Sequence, residues 1–434
     1  MVEFRQQIAG LLAFSSAVAL GAAAPAEAGG FDVREQSALF QGMSFAGAAA
    51  GGTSLASMFW NPAAAGYVGN GITMDSSYSL ILPRADLTVD TIDFGGGPIP
   101  AGLTGLDTTV DVGADAIVPA SYAAYRFSDS IVLAMSMNSQ FGLGTEPDNR
   151  NWVGQNVGRT AKLFSVNAAP TIAYEIMDGI QIGAGVQVQY IDLKRLRFAA
   201  GRPSPDTPSG TLSGDDIGVG YTLGVNFRPL PGTSIGVGFR SKIDHELEGT
   251  AKAPGSRNAI TAELETPEKV TLGIRQDLMP GFRVHGTVEW TNWDRLTEVP
   301  VILAAAPVEV ARLQFNWDDG WYFALGGEYD YSELITLRAG VGYEISPIQD
   351  ATSRLVQLPD ADRVWLSVGG SYKVGDLFGL INDAEIDFAY SHLFVEESDF
   401  ERGPASTAFG GFPVIAGDVE ASVDIISVGL RSKF

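Results

Sequence analysis

From about residue 70 to the carboxyl end, apolar and polar side chains alternate with a period of two. In TLRAGVGYE, Leu337, Ala339, Val341 and Tyr343 share one face; Thr336, Arg338, Gly340, Gly342 and Glu344 share the other. In DRVWLSVGGSY, Val364, Leu366, Val368 and Tyr372 alternate with Arg363, Ser367, Gly369 and Ser371, and Trp365 falls on the polar side. A helix would repeat its apolar positions every three or four residues, so this pattern predicts strands with one apolar and one polar face. About fourteen are expected, over 71–83, 116–126, 130–142, 161–176, 179–197, 215–229, 234–249, 260–277, 281–295, 319–329, 333–344, 361–374, 383–398 and 418–434.

The connections carry the next inference. Short ones near 128–130, 177–179, 229–232, 278–281 and 330–333 alternate with long ones near 84–115, 143–160, 198–214, 250–260, 296–318, 345–361 and 401–417. Tight turns at one end and long loops at the other are the layout of an outer-membrane barrel. A soluble sandwich or propeller also alternates, with its apolar face on a core. Three features favour the barrel. Aromatics including Tyr174, Tyr190, Phe227, Trp290, Tyr329, Tyr343, Tyr372 and Tyr390 mark strand ends on the apolar face. The polar face mixes glycine with charge, as a lumen does. The chain ends in VDIISVGLRSKF, an amphipathic strand with Phe434 last.

The amino end reads differently. An apolar run from Ile8 to Ala24 closes on Ala26-Glu27-Ala28, a small-x-small cleavage pattern, so 1–28 is expected to be an export signal. Residues 29–70 are Ala/Gly-rich, with Phe31, Leu39, Phe40, Met43 and Phe45 at near-helical spacing; they are expected to form a plug ahead of a barrel over 71–434. No later apolar run reaches the ~20 residues of a membrane helix.

Composition narrows the chemistry. The absence of cysteine excludes disulfides and thiolate chemistry. A net charge of -23 argues against nucleic acid. The only histidines, His245, His285 and His392, sit on different strands without metal-site spacing, so no metal or cofactor is expected. GTSIG at 232–236 matches a nucleophile-elbow pattern, but it opens a strand rather than a helix, which places Ser234 in a tight turn and predicts no catalytic residue. Acidic clusters at Glu146 and Asp148, Asp215 and Asp216, and Glu396 and Glu397 read as solvated loop charge or as cation contacts at a lipopolysaccharide surface. VPVILAAAPVEVARL at 299–313 is greasy for an external loop and is expected to pack as a short helix over the barrel mouth or to offer first contact to an apolar ligand; AFGGFPVIAG at 408–417 is similar. Arg338, Arg275, Arg240, Lys269 and Arg195 fall on the polar face by parity.

Several segments in order resemble one family. Asn61-Pro62-Ala63 follows the plug; TPEKVTLGIRQDL (266–278), VEWTNWDRL (288–296), WYFALGGEYDYSELITLRAGVGYEISPI (321–348) and LPDADRVWLSVGGSY (358–372) follow along the barrel. The mature chain resembles the FadL-type outer-membrane transporters of long-chain fatty acids and hydrocarbons. The resemblance implies an all-β transmembrane barrel of fourteen antiparallel strands with an N-terminal helical hatch in the lumen, working as a monomer among outer-membrane lipid and lipopolysaccharide. It implies passive capture of a hydrophobic small molecule, hatch movement, and sideways exit at a kink in the third strand. Phe31, Phe40, Met43, Phe45, Phe59 and Trp60 are the expected ligand-facing residues, with Arg338 as carboxylate partner. The kink is expected near 136–142, with Ser136, Asn138 and Gly142 as gate residues. A hydrophilic-solute porin with a static plug, an outer-membrane esterase and an adhesin are the alternatives. The external loops do not match by eye, and they decide the substrate.

Overall fold

The computed structural model describes residues 29–93, 103, 105–200, 204–377, 381–403 and 414–434. The expected export signal and most of the apolar stretch 408–417 lie outside the described residues.

Fourteen strands close into one antiparallel barrel. They are β1 (Ile72–Asp93), β2 (Ala116–Arg126), β3 (Ile131–Asn138, resumed at Gly142–Thr145), β4 (Thr160–Met177), β5 (Ile180–Ala199) and β6 (Ser209–Phe227). Then come β7 (Thr233–Arg240, continued as Ile243–Ala253), β8 (Ser256–Thr266, continued as Lys269–Met279), β9 (Phe282–Thr291) and β10 (Gly320–Asp330). The wall ends with β11 (Ile335–Ile345), β12 (Arg363–Leu377), β13 (Ile381–Val395) and β14 (Val414–Lys433). Each strand pairs with its neighbour in sequence. β14 returns to β1 from Thr73↔Lys433 to Asp93↔Val414, which removes both sheet edges.

Period-two alternation sets the two faces. Leu325 is 69% exposed, Tyr329 50% and Val368 56%, on a surface that water would not tolerate but lipid does. Trp365, the exception to the pattern, is buried in the lumen and donates from Nε1 to Glu344 Oε2 at 3.1 Å. No helix among the described residues is long and apolar enough to cross a membrane.

Three expectations are corrected. β1 runs ten residues past the expected end at 83, because β14 ladders with it to Asp93. The region 250–260 is a tight hairpin, Ala253 facing Ser256, with Gly255 at φ 79°. Segment 299–313 forms no helix: Glu298–Leu303 and Glu309–Gln314 make a hairpin that pairs with β8 at Ile260–Ala262. Its β-branched Val299, Val301 and Ile302 beside Pro300 favour strand, and Val299 and Val301 turn inward.

The segment from residue 29 to β1 fills the lumen as short helical turns at Ala38–Gln41, Ala48–Ala50, Leu55–Phe59 and Pro62–Tyr67. Glycine explains how closely it lies against the wall. A Cβ at Gly224, Gly236, Gly238 or Gly340 would come within 3.0 Å of Asn61, Ala49, Trp60 or Met43 respectively. Bare backbone on the inward face lets hatch and wall touch chain to chain.

Candidate functional site

At the long-loop end, above the first hatch residues, lies an apolar cavity of about 120 Å³. Its walls are upper-strand side chains such as Leu163, Leu196, Leu212, Leu247 and Leu264. The 298–314 hairpin roofs it with Val299, Val301 and Leu313, and Phe31 of the hatch lines it from below. Phe31 sits in an aromatic cluster, edge-on to Phe141 (5.5 Å) and Trp293 (4.8 Å). A room walled this way gains on the order of 25 cal/mol for every Å² of apolar ligand it removes from water.

Among the described residues one charged side chain reaches the lining. Arg402, at the end of the short external strand Ser398–Arg402, donates to the Thr352 carbonyl and to Gln314 O at 2.8 Å. Both partners are neutral, and it forms no salt bridge among the described residues. Burial pushes its guanidinium down to about 10, so it stays charged at neutral pH. A half-buried guanidinium with neutral partners has donors of the kind that pair with a carboxylate.

The barrel wall is interrupted beside this cavity. β3 stops at Asn138 and resumes at Gly142, and Ser139, Gln140 and Phe141 turn inward and are buried. Against β4, Asn138 faces Asn167 while Gly142 faces Phe164. Four steps on one strand match three on the other, which defines a bulge of one extra residue. On its other side β2 keeps its ladder to β1 from Ala116 to Pro119, but its ladder to β3 ends at Ala120↔Asn138. The hatch takes the free edge instead. Val33 N–H donates to Gln140 O (2.8 Å), Gly142 N–H to Phe31 O (2.9 Å), and Gln36 Nε2 to Ser139 O (2.7 Å). Phe31 therefore touches both the cavity and the interruption.

Lower down, Asn61 fastens the hatch. Its Oδ1 accepts from Ala63 N–H (3.0 Å), while Nδ2 donates to Ala49 O (2.8 Å) and Val225 O of β6 (3.1 Å). Pro62 occupies the first helical position, where it needs no N–H. Arg240 donates to Phe59 O at 2.6 Å and lies 4.4 Å over its ring.

A closed barrel, a lumenal hatch and an apolar cavity over a broken third strand now have counterparts. The family described as outer membrane protein transport protein (OMPP1/FadL/TodX) matches residues 19–434. The chain belongs to that family. It is 24% identical over 336 residues to a long-chain fatty acid transport protein of Escherichia coli, covering 67% of this chain and 72% of that one. Its fold matches a Pseudomonas aeruginosa FadL homologue (TM-score 0.82, 18% identity, 93% and 100% of the two chains). It also matches the Ralstonia pickettii toluene transporter TbuX (TM-score 0.66, 18% identity, 92% and 99%). The family comprises outer-membrane transporters of fatty acids and hydrocarbons, and this chain is an outer-membrane barrel of that kind.

Within this FadL-type barrel the residues singled out from sequence part company. Phe31 lines the cavity. Phe40, Met43, Phe45, Phe59 and Trp60 belong to a separate buried cluster around Trp365 and Tyr122, where Phe45 packs edge-on to Trp365 at 5.8 Å. Arg338 is committed elsewhere: it holds Glu328 at 2.6 Å and contacts Ser371, and it does not line the cavity. Ser136 and Asn138 are buried at the last rungs before the interruption, and Gly142 begins the resumed strand. Arg240 and Lys269 are lumenal, whereas Arg195 is exposed beyond a register shift in β5. Ser234 Oγ lies 2.7 Å from Ala50 O and serves the hatch.

Sequence reasoning missed Arg402 and the leucines of the cavity. A signal was present for the leucines. Toward the loop end the inward face changes from polar to apolar at Leu196, Leu212, Leu247, Ile260 and Leu264. Arg402 had none, since an arginine beside a long loop is ordinary.

Proposed function

We propose that this barrel carries hydrophobic molecules passively across the outer membrane, and that a long-chain carboxylic acid is its best ligand. The observation behind this reading is the apolar cavity with the Arg402 guanidinium at its edge and the hatch residue Phe31 beneath it. The tail leaves water among the leucines, and the head group meets the charge. Relatives named for long-chain fatty acid transport and for toluene transport bracket the ligand class. From the cavity, withdrawal of Phe31 and Val33 from the edge of β3 opens the bulge at 139–141, and the ligand leaves sideways between β2 and β3 into lipid. Consumption of the ligand inside the cell supplies the direction. The barrel closes on itself and works as a monomer.

Uptake of labelled oleate and of toluene by a strain lacking its own transporter tests this. Wild type restores both. Arg402→Gln lowers oleate affinity about tenfold, the loss of a charge-assisted contact, and leaves toluene unchanged. Uptake no faster than in the empty strain refutes transport; equal oleate affinity in both proteins refutes the head-group role. Toluene taken up far better than oleate by wild type supports the hydrocarbon reading, which the otherwise apolar lining favours.

A further inference from the structure

A second bulge lies in β5. Leu193 faces Leu163 of β4, and Arg195 faces Lys162; on the other side Leu193 faces Gly214 of β6, and Leu196 faces Leu212. The strand therefore carries one extra residue against each neighbour, and its two faces exchange there. Below the bulge Gln187, Gln189 and Ile191 are buried toward the lumen. Above it Leu196 and Phe198 take that side and line the apolar cavity, while Arg195 and Arg197 turn outward. Without the bulge the two arginines would enter the cavity.

Outside the wall they join a basic patch. Ala161 and Leu163 line the cavity, so Lys162 between them points outward beside Arg195. The loop between β3 and β4 adds Arg150 and Arg159: Arg150 and Arg197 act on Arg159, and Arg150 and Arg195 act on Arg197. The carboxylate among them is Glu146, which Lys162 holds at 2.6 Å. Asp148 and Asp206, in the adjoining loops, form no ion pair with any of the five cations. Arg159 is buried, and among the described residues its acceptors are neutral: Gln155 Oε1 (3.1 Å), Thr207 O (2.6 Å), Ser209 Oγ (2.9 Å) and Ser204 O (3.1 Å). Burial, then Arg150 and Arg197, push its guanidinium below the ordinary arginine range. Arg197 Nε and Trp152 Nε1 are buried N–H donors without a partner. Arg150, Trp152, Arg159 and Arg197 line an external pocket of about 20 Å³, room for about one oxygen-sized group.

We propose that this patch binds a phosphate on the sugar head of lipopolysaccharide and holds that lipid against the outside of the cavity wall. The long connections mark the external end of the barrel. Arg195 and Arg197 lie beyond Tyr190 of the lipid-facing band, roughly 13–18 Å higher for a strand tilted about 40°. A phospholipid headgroup layer is only ~5–8 Å thick, whereas a phosphorylated sugar head spans the distance. The pocket admits a phosphate oxygen but no acyl chain, and Arg197 and Trp152 bring donors without partners. A chain of net charge -23 repels a phosphorylated surface, and a local excess of cations lets the headgroup approach. One bulge thus serves both sides of the wall, sending apolar side chains to the cavity and cations to the lipid.

The test uses no transported ligand, so it stands or falls apart from the transport reading. The full chain, purified and stripped of lipid in detergent, is titrated with rough-type lipopolysaccharide, with the same material after dephosphorylation, and with phosphatidylglycerol; inorganic phosphate is added as a competitor. Native mass spectrometry counts the bound lipid and gives its affinity. A single tightly held phosphorylated lipopolysaccharide is expected per barrel. Arg150→Gln combined with Arg197→Gln should weaken it about ten- to a hundredfold, by loss of charge-assisted contacts. Arg84→Gln, which removes an exposed charge elsewhere, should leave it unchanged. Rising salt should weaken wild-type binding. Equal affinity for the dephosphorylated lipid, or equal affinity in the double variant, overturns the proposal. Phosphatidylglycerol bound as tightly overturns the sugar head, and displacement by an equal concentration of inorganic phosphate makes this a free-phosphate site instead. If the double variant gives no heat-modifiable barrel, the salt dependence and the dephosphorylated lipid decide the matter on wild type alone.

Discussion

Replacing Asn61 with alanine isolates the fastening of the hatch. The side chain, itself buried, caps the Ala63 N–H and donates to Ala49 O in buried contacts and to Val225 O in a part-buried one. Losing the cap costs about 1 kcal/mol. Leaving a buried acceptor without its donor costs about 1–3 kcal/mol; Ala49 O keeps a second, longer contact from Asn226 Nδ2 at 3.4 Å, which softens its share. The sum is on the order of 2–4 kcal/mol, nearly all of it in hatch–wall docking, since the wall ladders do not use this side chain. At about 1.4 kcal/mol per decade, the open hatch becomes roughly thirty- to several-hundredfold more populated. Hydrogen exchange in detergent micelles, read by mass spectrometry on peptides spanning 48–67, should accelerate by that factor. Peptides from β11 and β12 should not change. Unaltered exchange in the hatch would refute the reasoning, and equal acceleration in the wall would show that Asn61 supports the whole barrel instead.

Other consequences can be measured. Removing Gln140 deletes the extra residue of the β3 bulge and lets the ladder run straight; oleate uptake should fall to the background of the deletion strain while the barrel still shows heat-dependent gel mobility. Gly238→Val puts side-chain atoms against Trp60 and should cost about 1–3 kcal/mol of hatch docking, whereas Gly69→Ala, with open space around it, should stay within about 0.5 kcal/mol by the same exchange assay. Leu325→Arg places charge on the lipid face in the middle of β10 and should cost about 2–4 kcal/mol in urea titrations from vesicles.

Alternation along the chain determined most of the barrel. A period of two admits one face to lipid and one to the lumen, and a wall with no free edge follows because lipid offers no partner to unpaired backbone. The Ala/Gly-rich segment 29–70 also declared that it was not wall, and inward glycines such as Gly236 and Gly340 fit the space it needs. Which side chains meet was decided elsewhere. The polar-face parity pointed to Arg338 as the carboxylate partner and gave no sign of Arg402, but Arg338 stands opposite Glu328 on the adjacent strand and is neutralised there, while Arg402 arrives from an external strand among carbonyls. Phe31 and Phe40 share the hatch pattern, yet one reaches the cavity and the other packs against Trp60. Local pattern sets the face each residue takes, because that depends only on neighbours in the chain. The partner across the lumen depends on how fourteen strands close around the hatch, and only the closed structure fixes that.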